Sequence, residues 1–137
     1  MSIVQTQTTS FKAELYEGVH NLTSNTLKMA LYTANADLNA DTTVYSSTNE
    51  VTGTGYVAGG VVMTGVTINT SGYTVYVNFN NVAFNASVTA RCALIYNSTQ
   101  GNKSIAVLDF GSDKTSTNFT VTMPQNTATS ALIRSSN

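Results

Sequence analysis

Tyr73, Val75, Val77 and Phe79 alternate with Thr74, Tyr76, Asn78 and Asn80, and this period of two constrains the fold more than any other feature of the chain. Successive side chains of a strand point to opposite faces, so the segment reads as a strand with one apolar face and one wet face. Comparable segments recur at about ten-residue spacing, over 61–69, 88–96, 104–110, 119–123 and 131–134. Turn-forming residues separate them: Ser71-Gly72, Asn80-Asn81, 97–102, 111–114 and 124–126. The single proline, Pro124, falls at a strand end, where the missing N–H costs least. Upstream, 26–33 is a further strand with Leu27, Met29 and Leu31 on one face. The expected fold is mainly β, an antiparallel β-sandwich or jelly roll.

One helix is expected. Phe11, Leu15, Val19 and Leu22 recur at helical spacing, with Lys12, Glu14 and Glu17 on the other side. Thr9 or Ser10 serves as N-cap, Gly18 weakens the last turn and Asn21 stops a helix of about 10 to 12 residues. Residues 1–9 are polar, rich in Thr and Gln, and read as an extended arm, disordered alone or ordered against a partner. Residues 10–137 form one domain. Within it, 34–50 is a long loop of small polar residues with a short strand near 43–45, and the glycines of 53–60 mark turns or bulges.

Charge excludes several functions. Only 9% of the 137 residues are charged, six basic and seven acidic, and the basic residues are scattered, so nucleic acid has no footprint to bind. Thr (23), Asn (15) and Ser (14) solubilise the surface instead, a pattern that suits an exported or virion β-protein. No apolar run is long enough to span a membrane, and the N-terminus has no secretory-signal pattern. Cys92 and His20 are the only residues of their types, which excludes an internal disulfide framework and cysteine- or histidine-rich metal sites.

The motifs that suggest chemistry fail on spacing. Asp37-Leu-Asn39-Ala-Asp41 opens like a calcium loop, but Thr42 and Thr48 stand where glycine and a bidentate glutamate are required. Asp109-Phe110-Gly111 lacks the rest of a kinase, and Gly53-x-Gly55-x-x-x-Gly59 leads into Val61-Val62 rather than a helix. His20 reads as a helix-end residue bonded to a last-turn carbonyl, and Cys92 as a small buried hydrophobe. No catalytic residue, cofactor or metal ligand set is expected. The seven tyrosines include Tyr32, Tyr45, Tyr56, Tyr76 and Tyr96 on polar faces or in loops, where an exposed ring stacks sugars or anchors an interface.

Thr48-Asn-Glu-Val-Thr-Gly-Thr-Gly-Tyr-Val-Ala-Gly-Gly60, Arg91-Cys-Ala-Leu-Ile-Tyr-Asn-Ser-Thr-Gln-Gly-Asn-Lys103 and Ala106-Val-Leu-Asp-Phe-Gly-Ser-Asp-Lys114 resemble small structural proteins of tailed bacteriophages. The resemblance extends to 11–32 and 131–134 and covers most of the chain. It implies a capsid cement or decoration protein on the virion surface, with the major capsid protein as partner and self-association as a dimer or trimer. Ile3 and Val4 of the arm, Asp37 and Asp41 of the long loop, and Tyr45 and Tyr56 are the candidate interface residues. A neck, tail or fibre component is the alternative within the virion. A carbohydrate-binding module acting through loop tyrosines is the alternative from another class.

Overall fold

The computed structural model describes residues 2–136 and is mainly β, with antiparallel sheets and one helix. Met1, which the expected arm includes, lies outside the described residues. The elements in chain order are β1 (Thr6–Gln7), α1 (Thr9–Tyr16), β2 (Leu27–Tyr32), β3 (Val61–Val62), β4 (Thr67–Ser71) and β5 (Thr74–Asn78), then β6 (Val82–Ala83), β7 (Val88–Asn97), β8 (Lys103–Ser116), β9 (Thr120–Val121) and β10 (Ile133–Ser135). They form a five-stranded sheet in the order β1-β8-β7-β2-β3, a three-stranded sheet β10-β5-β4 and a two-stranded ribbon β6-β9.

β2, β7 from Cys92 onward and β8 up to Leu108 are buried on both faces, which is why these stretches read as near-continuous apolar runs. On one face Leu27, Met29, Leu31, Ile95, Ile105 and Leu108 pack against Val77 and Ile133 of the three-stranded sheet and Val82 and Val121 of the ribbon. On the other, Ala30, Tyr32, Cys92, Leu94, Tyr96 and Val107 are covered by Ala36, Leu38 and Tyr45 of the 34–50 loop and by Ile3. The low charge of the chain thus reflects a central sheet whose middle has no wet face.

The 2–8 segment is extended, but its own chain holds it, not a partner. Thr6 and Gln7 pair with Val107 and Ala106, and Ile3 bridges to Leu38. Thr8 is fully buried and caps α1 by accepting from Phe11 N–H, one residue before the expected cap. Its oxygen also lies 2.9 Å from the Ser104 hydroxyl, which donates to Thr42 O at 2.7 Å. The helix runs eight residues, not ten to twelve. Gly18, at φ 74, turns the chain away before Leu22 can complete the expected stripe.

Four features of the strand layout differ from expectation. The 61–69 segment is divided, because its first half pairs with β2 and its second with β5, so the chain changes sheets at 63–66. The expected turn at 111–114 is a bulge within β8: Asp109 and Lys114 pair with Cys92 and Ala90, and only Arg91 stands opposite the four residues between them. The ribbon strand β6 was unanticipated, as two residues carry no detectable period. At 43–45 the short strand amounts to one bridge, Val44 to Lys103.

Candidate functional site

Four tyrosines and one carboxylate form a connected polar cluster beside the central sheet. Glu50 leaves the long loop beside the end of β2, held by a bridge to Tyr32 and by Val51 N–H donating to Leu31 O. Its Oε1 accepts from Tyr45 hydroxyl at 2.6 Å, and its Oε2 accepts from Tyr56 hydroxyl at 2.5 Å and from Gly59 N–H at 2.8 Å. Tyr96 donates to Gly59 O at 2.5 Å, Tyr32 donates to Ser46 O at 2.6 Å, and the Tyr45 and Tyr96 rings stack at 4.7 Å. Burial, reinforced by the Glu50 charge, pushes all four phenols above the ordinary tyrosine value.

The expectation of exposed tyrosine tips therefore fails for Tyr32, Tyr45, Tyr56 and Tyr96. Their hydroxyls tie two loops to the central sheet. Glu50 was the residue that sequence reasoning passed over. Its one signal is isolation, for no other acid occurs between Asp41 and Asp109.

The remaining candidates scatter over the outer face of the loop layer. Ile3 is half-buried on the core, while Val4, Asp37 and Asp41 are exposed. Asn39 accepts from Asp41 N–H at 2.9 Å and donates to Asp37 at 3.3 Å, so this acidic pair frames an Asx turn.

His20 is bonded to a side chain, not to the expected helix carbonyl. Thr99 and Gln100 N–H groups donate to Asn97 Oδ1 and fix its amide, whose nitrogen donates to His20 Nδ1 at 3.0 Å. The ring proton therefore sits on Nε2 and is donated to Glu14 at 2.9 Å. Both ring nitrogens are engaged, with no nucleophile beside them. Cys92 is fully buried, and desolvation with the nearby Asp109 pushes its thiol up to about 12. In the native state it should resist aromatic disulfide reagents at pH 8 and react fully once denatured, which a thiol titration reads directly. No group of three His, Cys, Asp or Glu side chains suited to a metal occurs among the described residues, and no helix there is long and apolar enough to cross a membrane.

One open cleft is predominantly apolar. Between α1 and the three-stranded sheet lies a cleft of about 400 Å³ lined by Phe11, Leu15, Leu22, Ile68, Val75 and Val77. Val77 is buried, but Val75 is 42% and Ile68 49% exposed, so the distal half of the alternating apolar face lacks a cover. The early end of α1 leaves that gap. The cleft was legible in part from the alternation of 73–80; the missing cover was not. Comparison of the chain with protein-family models, curated proteins and solved structures finds no match.

Proposed function

We propose that this protein is a bacteriophage virion component, a capsid cement or decoration protein that binds the assembled shell through its partner, the major capsid protein. The observation that carries the reading is the uncovered apolar cleft, set in a protein with few charged residues. A doubly covered sheet supplies a rigid body, and a ligand of the assembled shell alone stabilises it by mass action. The resemblance of 48–60, 91–103 and 106–114 to phage structural proteins supports the same reading. The glycan-binding alternative is the less favoured reading, since Tyr45 and Tyr56 are half-buried and donate their hydroxyls to Glu50.

Purified particles should carry this chain in hundreds of copies by gel densitometry against the major capsid protein. A Val75→Asp chain that folds normally should be lost from them. A few to tens of copies would reassign the protein to the neck, tail or fibre, and its absence from particles would overturn the virion reading.

A further inference from the structure

The open edge of the three-stranded sheet is a pairing site, and its geometry selects the occupant. Among the other sheet edges, β1 and β3 have two residues each, β10 has three and carries Arg134, and the stretch of β8 that β1 leaves unpaired carries Asp113 and Lys114. Strand β4, by contrast, presents five residues, Thr-Ile-Asn-Thr-Ser, with four of them exposed. It contains no charge and no proline, the devices that normally keep an edge from pairing. Its hairpin with β5 is closed by the pair Ser71–Thr74 around a two-residue loop, Gly72-Tyr73. A closing pair of that kind is hydrogen-bonded, and the pattern alternates, so Asn69 and Thr67 also bond to β5. The N–H and C=O groups of Ile68 and Thr70 consequently point away from the sheet, and no backbone hydrogen bond to another described segment engages them.

We infer that β4 pairs antiparallel with β4 of a second copy about a two-fold axis at Asn69. In this register Ile68 faces Thr70 of the other copy and the reverse, and all four outward backbone groups on each strand bond across the axis. Asn69 faces its equivalent on the side away from the cleft. Ile68 and its equivalent become diagonal neighbours on the cleft side, which covers the most exposed apolar side chain of the strand. The result is a continuous six-stranded sheet with the two clefts on one face. A second copy is favoured over an unrelated strand because neutral, two-fold pairing satisfies this edge completely without any other partner. The inference is independent of the virion reading.

Sedimentation equilibrium over micromolar concentrations tests it. The wild-type chain should sediment at twice 14.5 kDa. Asn69→Lys and Asn69→Asp, each placing like charges face to face, should weaken the dimer by about tenfold or more. An equimolar mixture of the two should restore it, because only this register brings opposite charges together. Thr70→Pro, which leaves the β5 ladder intact, should also yield monomer and serves if either charged variant fails to fold. A wild-type monomer, or an oligomer indifferent to these changes, overturns the inference.

Discussion

Raising the pH from 9 to about 11.5 should unfold the protein, with a loss of stability of about 5 kcal/mol from Cys92 and Tyr32 alone. Both groups are buried in neutral form, and in both the folded-state value lies above the unfolded one. The unfolded chain releases the thiol proton near pH 9.0 and the phenol proton near pH 10.0, whereas the fold holds them. Above those values the unfolded state binds fewer protons, so stability present at neutral pH declines as the solution becomes more alkaline. Tyr96 adds to the decline in the same direction. Tyr45 and Tyr56, which are partly exposed and donate to Glu50, add a smaller share after allowance for solvent screening. The loss is comparable with the whole margin of an ordinary domain. Denaturant melts at pH 8 and 11 read the change in midpoint. A spectrophotometric titration reads the cause: phenolate absorbance from these four tyrosines should rise together with loss of the β circular dichroism. Ionisation of all four while the sheet persists would show that the cluster is far more open to solvent than its hydrogen bonds imply.

The same cluster marks where the sequence stops being readable. The central strands were legible because burial on both faces leaves continuous apolar runs such as Cys92-Ala-Leu-Ile-Tyr96, and the class of fold follows from several such runs separated by turn residues. Alternation over 73–80 likewise located β5. Where long-range pairing decides the structure, local pattern gives no access. Thr6 and Gln7 look like a free polar arm until Val107 and Ala106 appear beside them, and the loop over 34–50 looks uncommitted until it is seen covering Tyr32 and Leu94. A polar composition hid both, because these segments satisfy the sheet edge and the loop backbone through main-chain bonds that carry no side-chain signature. Tyrosine is ambiguous for a related reason: an amphipathic ring reads as surface in sequence, yet a hydroxyl with one good acceptor can be buried. Gly18 tells the opposite lesson. It was recognised as a helix weakener, but a positive φ there ends the helix outright and thereby opens the cleft.

Gly60→Ala should cost about 4 kcal/mol or prevent folding at physiological temperature. Two independent demands meet at this residue. Its φ of 83 lies in the left-handed region, which an alanine enters at a cost of about 1 kcal/mol. Its α-carbon also crosses directly over β2: an added methyl would stand 2.6 Å from the carbonyl carbon of Met29 and 2.8 Å from the α-carbon of Ala30, and nearer still to the Met29 oxygen. Those neighbours are backbone of a central strand and cannot give way without breaking the β2–β7 ladder. Nor can the glycine segment lift off, because Glu50 holds the N–H of Gly59 and Tyr96 holds its carbonyl. Gly18→Ala separates the two demands, since its φ is 74 but no atom lies within 4 Å of the added methyl, so only the conformational part, about 1 kcal/mol, should be lost. Thermal or urea melts of the two variants make the comparison. Equal losses would mean that the glycine segment moves freely over β2, and that the clamp from Glu50 and Tyr96 does not hold it there.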